Sequence, residues 1–359
     1  MSEQVPAQWS NFYLKDVSFV NLMMRRIYNV LIVANPYDAF MLEDDGRVEE
    51  KIYNEYMELG LRYPPTFTQV STIEEASKVL NTVDIDLVIC MPGNADNDAF
   101  DVARAVKAEF PDIHCVVLTP FSHGITKRIQ NEDLSIFDYV FCWLGNTNLI
   151  LSIIKLMEDK MNIDNDIHEV GVQMILLVED SIRFYSSILP NLYSYILTQS
   201  QNFATEALTR HEASLRQRGR PKVVLARTYE EAWDIYQRYK DNCLGVISDV
   251  RFPINNVEDK GSSATEGNIP VAEKDPEAGL KLLRAIRKED EYLPLIIESS
   301  ESENREKAEA EGFCFVDKNS KKMSVDLRRL LEEHMGFGDF IFRNPKTHEE
   351  VMRVRNLKE

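Results

Sequence analysis

Basic charge is what this chain is shortest of. Its 359 residues carry 41 Lys and Arg against 59 Asp and Glu, a formal net charge of −18. That balance lacks the cationic footprint that a nucleic-acid or anionic-membrane surface requires, so neither is expected as a partner. Cysteine is scarce too. Cys90, Cys115, Cys142, Cys243 and Cys314 are odd in number and show no C-x-x-C spacing, which argues against a disulfide framework or a thiolate metal site. They sit mostly in or beside apolar runs and read as reduced core thiols of a cytoplasmic protein. Long uncharged runs are missing: the longest, residues 139–154, is interrupted by Gly145-Asn-Thr-Asn148, and no basic-then-apolar leader opens the chain. A Gly-rich phosphate loop and a phosphotransfer histidine motif are also lacking, so no output enzyme is expected in these residues.

What is there is an alternation of strand and helix that occurs twice. The length suits two domains, each able to bury a sizeable core. Thr72-Ile-Glu-Glu-Ala76 recurs as Thr228-Tyr-Glu-Glu-Ala232, each a capping box with Thr as N-cap and Glu three residues on. Asn29-Val-Leu-Ile-Val33 answers Met174-Ile-Leu-Leu-Val178, and Leu87-Val-Ile-Cys-Met91 answers Gly245-Val-Ile-Ser-Asp249. Residues 113–119 answer the run that ends at Ser299. One-sided helices are predicted over 101–110 and 146–161. The pattern implies an α/β chain of two doubly wound parallel sheets, in units 1–162 and 170–336. The polar stretch 161–168 reads as the junction, and 337–359 as a charged linker or tail.

In the second unit, four apolar runs end in chemistry. Glu179-Asp180 closes the first, Asp249 the next, Ser299 another and Lys318 the last. Taken singly, the acidic pair also fits a helix N-cap, Asp249 and Ser299 fit turns, and Lys318 fits a solvated charge. Their order on successive strand ends makes them one site, because ligands in open α/β sheets bind beyond the carboxyl ends of the strands. Three carboxylates there repel one another unless a divalent cation keeps them ionised. Mg²⁺, with oxygen ligands at about 2.0–2.1 Å, fits Glu179, Asp180 and Asp249. Asp249 is then the nucleophile for a phosphoryl group, which Lys318 and Ser299 receive.

This set resembles the receiver domain of two-component response regulators. The resemblance implies tandem flavodoxin-like five-stranded sheets, Asp249 as phosphoacceptor and Mg²⁺ as cofactor. It also implies a histidine kinase or small acyl-phosphate donor as partner, and no enzyme activity beyond self-phosphorylation and autodephosphorylation. Phe315 takes the place of the receiver aromatic that repacks when the hydroxyl residue moves, and Asn319 stands where receivers usually have proline. Several strings are more specific: Val178-Glu-Asp-Ser-Ile-Arg-Phe-Tyr185, Ile247-Ser-Asp-Val-Arg-Phe-Pro253 and Gly336-Phe-Gly-Asp-Phe-Ile-Phe-Arg343. Together with Arg25-Arg-Ile-Tyr-Asn-Val-Leu-Ile-Val33 and Pro36-Tyr-Asp-Ala-Phe40, they resemble the amino-terminal region of receiver-bearing phosphoenolpyruvate synthase and pyruvate phosphate dikinase relatives. In that family an output module follows the receivers; here either such a module or a separate effector is the expected listener.

The first unit is a blank copy. It has Ala34-Asn35 in place of the acidic pair, Met91 in place of the phosphoacceptor, and Cys142 or Trp143 in place of the lysine, with only Thr119 retained. It reads as a pseudo-receiver kept for docking or homodimer formation; the alternative is a different ligand site from Asp38, Glu43, Asp44 and Asp45. Three further readings are open. The basic residues of 202–222 (Arg210, His211, Arg216, Arg218, Arg220, Lys222) form a docking surface or a solvated helix extension. The insert 254–275 gates the crevice or is passive. Arg251 stands at the crevice mouth, where a hydrolase using Asp249 would need a second aspartate. A scaffold with a vestigial switch is the competing function.

Overall fold

Five apolar runs in each half become strands, and the order in which they pair decides where their ends meet. The computed structural model describes residues 22–44, 47–92, 99–120, 136–205, 213, 217–254, 274–336, 340–343 and 350–354. In the first half β1 (Asn29–Val33), α1 (Pro36–Asp44), α2 (Val48–Glu58), β2 (Thr66–Val70), α3 (Ile73–Leu80), β3 (Leu87–Cys90), α4 (Ala99–Glu109), β4 (His114–Pro120), β5 (Tyr139–Trp143) and α5 (Asn148–His168) follow one another. The second half runs β6 (Met174–Val178), α6 (Ile182–Thr205), β7 (Lys222–Ala226), α7 (Tyr229–Tyr239), β8 (Cys243–Asp249), β9 (Phe252–Pro253), β10 (Lys274–Asp275) and α8 (Ala278–Glu289). It closes with β11 (Leu295–Ser299), α9 (Glu303–Ala310), β12 (Cys314–Asp317) and α10 (Met323–Leu330).

The two five-stranded sheets pair in the orders β2-β1-β3-β4-β5 and β12-β11-β8-β6-β7, with parallel registers throughout. Read from β7, the second order is the first over again. Both are the flavodoxin-like doubly wound order, which puts a switch point beside the first strand of each half. Both predicted capping boxes form: the Thr72 and Thr228 hydroxyls accept from Glu75 N and Glu231 N. The glutamates reach back one residue further than the motif requires, to Ser71 N and Arg227 N.

Strand alternation gives each sheet two apolar faces. One face of the first sheet packs under α3 and α4, and one face of the second under α7 and α8. The remaining face of each sheet enters a single shared cluster with α2, α5, α6 and α10. The two halves are therefore joined through a core. Edge strand β5 is covered by α6: Cys142 N donates to Ser186 Oγ at 2.9 Å, and the Tyr185 hydroxyl donates to Val140 O. Covering an edge removes a template for unwanted pairing.

The expected junction at 161–168 is a correction. These residues are the last two turns of α5, and Asn162, Ile163, Asp166 and Ile167 are buried. Their polarity is for internal bonding. Ile27 N, Arg25 N and Met23 N donate to Glu158 Oε1, Asn162 Oδ1 and Asp166 Oδ1 at 3.3, 2.9 and 3.1 Å. Four helical residues rise about 6 Å and two extended residues about 6.6 Å, so every fourth side chain of a helix can meet alternate amides of an extended strip. On the same helix Asp159 takes Arg220 in a two-pronged pair at 2.7 and 2.9 Å. It also accepts from the Tyr193 hydroxyl at 2.8 Å and from Val223 N at 3.0 Å. Lys222 pairs with Asp166 at 2.7 Å.

Arg220 and Lys222 are thus seam residues, buried to 3% and 0% exposure, which corrects both readings of them, as part of a docking surface and as part of a solvated helix extension. Arg210, His211 and Arg216 lie outside the described residues, as does most of the insert, residues 255–273. The tail also differs from a plain linker, since β13 (Phe340–Arg343) and β14 (Glu350–Val354) pair as an antiparallel hairpin. Among the described residues no helix is long and apolar enough to cross a membrane.

Removing one partner of a buried ion pair strands the other charge, at about 3–5 kcal/mol. Arg220→Met is expected to lose that much stability, and calorimetry of the parent chain is expected to show both halves melting in one transition. Two well-separated transitions in the parent would contradict a shared core.

Candidate functional site

Strand register brings the acidic residues to one place. Asp249 ends β8 and stands opposite Glu298 of β11. Val178, at the end of β6, pairs with Ser248, so Glu179 and Asp180 follow directly beside Asp249. Glu179, Asp180 and Asp249 each offer a carboxylate oxygen, all within 4.8 Å of one another, the one such group among the described residues. Lys318, one residue past β12, donates to Glu179 and lies 2.7 Å from Asp249 Oδ1. Its ammonium also sits 4.6 Å over the Phe184 ring. Glu179 Oε1 accepts from Ser181 N at 2.9 Å, which caps the entry to α6.

Burial sets the electrostatics. Removal from water pushes the Glu179 carboxyl up to about 8, against the pull of Lys318, with Asp249 and Glu298 adding to the rise. Asp180 is raised by burial and pulled back by Lys274, whose ammonium is 2.6 Å away. Lys318 is held well above its ordinary value: burial opposes its charge, but Glu298, Glu179 and Asp249 together outweigh that. The crevice therefore holds more carboxyl groups than Lys318 and Lys274 can pair with, and burial keeps the surplus protonated. Asp180 Oδ1 is buried without a hydrogen-bond partner among the described residues. An orphaned oxygen and three converging carboxylates are what a hard divalent cation takes, so the residues present fit Mg²⁺.

Other expected residues stand at the margin. The Ser299 hydroxyl, buried, accepts from Glu301 N at 3.1 Å and Asn304 Nδ2 at 3.0 Å, so it is engaged with the start of α9. Phe315 pairs beside Ile297, and Arg305 stacks over its ring at 4.7 Å. Arg251 does not enter the crevice; it pairs with Glu301 at 3.0 Å, both half exposed. The peptide after Lys318 is trans, as are all described peptides.

Three participants escaped the sequence reading. Glu298 is fully buried, and no N–H donor of the described residues reaches its carboxyl. Burial, then Asp249, raise it to about 7 against the pull of Lys318, and it faces Glu179. The signal was present: Leu295-Ile-Ile-Glu-Ser299 puts an acid on the same face as the buried Ile296. Lys274 was hidden at the far end of the insert; β10 pairs with β9 and carries it back to Asp180. Gly279 of α8 donates to Val250 O, and a Cβ there would lie 1.9 Å from the Asp249 carbonyl oxygen. Only glycine lets that helix approach the end of β8 so closely.

The corresponding place in the first half lacks the acids and the lysine. Ala34, Met91, Thr119 and Cys142 are buried. Asn35 caps α1, accepting from Tyr37 N and Asp38 N and donating to Asp38 Oδ2 at 2.6 Å. Asp38 is thus used locally. Asp45 and the side chains of Glu43 and Asp44 lie outside the described residues.

No family model and no curated protein matches the chain. Among solved structures it is similar to a CheY-like response regulator receiver domain protein from Methanospirillum hungatei JF-1. The identity is 14%, over 39% of this chain and 99% of that one, with a TM-score of 0.30. It is also similar to the signal receiver domain of a signal transduction histidine kinase from Syntrophus aciditrophicus, at 20% identity over 37% of this chain and 91% of that one, TM-score 0.28. The fold rests on the strand order itself, which each half satisfies by its own pairing.

Gly279→Ala is expected to cost about 1–3 kcal/mol by overpacking and to displace Asp249; thermal melting and metal titration together check it. Glu298 yields a pH dependence. Its folded value of about 7 exceeds its ordinary 4.5, so the folded chain keeps a proton that the unfolded chain has lost. Stability of the metal-free protein is then expected to fall as pH rises from about 4.5 to about 7. Melting temperature against pH in a chelator should become shallower across that window in Glu298→Gln, with the remaining slope due to Glu179, whose folded value of about 8 also exceeds 4.5. An unchanged slope would place the proton elsewhere.

Proposed function

We propose that the chain is a phosphorylation-controlled regulatory protein of the two-component type, with Asp249 as its phosphoacceptor. The observation that carries this reading is the convergence of Glu179, Asp180 and Asp249 within 4.8 Å, with Lys318 bridging two of them. Mg²⁺ held by these three carboxylates would supply the positive charge that keeps them ionised and draws in a phosphoryl donor. An Asp249 carboxylate oxygen attacks the phosphorus of an acyl phosphate or a phosphohistidine. A new P–O bond forms as the bond to the leaving acetate or imidazole breaks. Lys318 then has a phosphoryl oxygen to pair with in place of Asp249. That exchange is the local charge change a switch needs.

The first half, without the acids at the matching place and sharing a core with the second, serves as a fixed platform beside the switch. Its α5 face is consumed inside the chain, so a homodimer would use another surface. The signal is read by an effector protein or by an output module of the phosphoenolpyruvate synthase-like kind.

Incubation with acetyl phosphate and Mg²⁺, followed by intact-mass analysis, is expected to show one phosphoryl adduct. The adduct should vanish in Asp249→Asn, persist in Asp38→Asn and fail to form in excess chelator. An adduct that survives Asp249→Asn would refute the assignment, and no adduct from either acetyl phosphate or a phosphorylated histidine kinase would favour the scaffold reading.

A further inference from the structure

An excess of positive charge gathers at one point of this acidic protein. Ahead of the amino ends of β1, β2 and β7, opposite the strand ends that carry Asp249, a cleft opens between the two halves. Arg26, Arg62 and Tyr63 from the first half and Arg218 from the second line it. Two other cations of the lining are neutralised: Lys155 by Glu158 at 2.7 Å and Arg220 by Asp159 at 2.7 Å. Arg26, Arg62 and Arg218 have no carboxylate partner among the described residues. Arg26 makes only a long bond from Nε to Met23 O, at 3.4 Å. Arg218 Nε is buried with no acceptor among the described residues.

Burial, then the guanidiniums of Arg26 and Arg62, push Arg218 below its ordinary value. Among the described residues the cleft's acid is Glu158, which Lys155 already takes, so part-buried Arg26 and Arg218 and exposed Arg62 are left to attract an anion from outside. The backbone adds an independent sign. Met23 (φ 49°) and Tyr63 (φ 60°) line the same cleft in the left-handed region, where only one other non-glycine residue of the described chain is found. Such strain persists where surrounding structure holds a functional geometry.

We propose that this cleft binds a phosphate-bearing small molecule through its phosphoryl group, with Arg26, Arg62 and Arg218 as ligands. Guanidinium forks match groups that offer two or more oxygens, and three of them suit a doubly charged phosphate better than a single carboxylate. The cavity of about 50 Å³ admits a headgroup; sites that enclose a whole drug-sized ligand run to roughly 300–1,000 Å³. The rest of the molecule lies outside, beside the exposed rings of Tyr63 and Tyr28, which meet edge to face at 6.2 Å. Because the arginines come from both halves, the ligand tightens the seam.

The test is calorimetric titration of the full chain, in chelator, with inorganic phosphate, pyrophosphate and AMP, against sulfate and citrate at matched ionic strength. Saturable one-site binding of the phosphate compounds is expected, unchanged in Asp249→Asn. It should weaken at least about tenfold in Arg62→Gln and in Arg218→Gln, each of which removes a charge-assisted fork. Without ligand, Arg218→Gln is expected to melt no lower than the parent, since it relieves repulsion. Absence of saturable binding, equal binding of citrate, full affinity in both arginine variants, or a clearly lower ligand-free melting temperature of Arg218→Gln would each overturn the proposal.

Discussion

Asp159 is the residue on which the architecture turns. It is fully buried, and its two oxygens take up the Arg220 fork, the Tyr193 hydroxyl and Val223 N. A charge so placed is tolerable only when every partner is present, and those partners come from α6 and the start of the second sheet. Hydrophobic contact alone would let the two halves slide over one another. The pair fixes their register, and the ladder from Glu158, Asn162 and Asp166 to the strip 23–27 fixes the start of the first sheet against the same helix. One helix thus aligns both.

The second place where charge governs the structure is the crevice at the end of β8, and there the accounting is left open. Four carboxyls, Glu179, Asp180, Asp249 and Glu298, surround Lys318, with Lys274 reaching in from the rim. Unlike the seam, this cluster has orphaned oxygens on Asp180 and Glu298. At the seam Lys222 Nζ also lacks a hydrogen bond, but the Asp166 carboxylate lies 2.7 Å from it and balances its charge. α6 connects the two: it begins beside Glu179, places Ile182 against the core of the first half, and reaches Asp159 through Tyr193.

Much of this was legible in the chain. Met174–Val178 and Asn29–Val33 are strands as read, since an apolar run of about five residues is too short for a helix. Thr72 and Thr228 cap helices because a hydroxyl three residues before a glutamate satisfies free amides locally. The order of Glu179-Asp180, Asp249 and Lys318 on strand ends sufficed to bring them together, because a parallel sheet aligns its carboxyl ends. The stretch 161–168 misled for the opposite reason: its polar residues look solvent-directed until their buried partners, 130 or more residues away in sequence for the 23–27 strip, are known.

Local pattern and strand-end chemistry, then, were determined by sequence alone: two α/β copies, one of them blank, and a cluster of acids around a lysine. These follow from short-range rules, namely alternation, capping and the common polarity of parallel strands. Tertiary structure alone decided that the copies share a core, that Arg220 and Lys222 are interior, that Glu298 and Gly279 belong to the crevice, and that Arg26, Arg62 and Arg218 meet. Each of these depends on which distant surfaces pack together. Burial changes what a charged side chain can do, and burial is a property of the whole fold rather than of any segment of it.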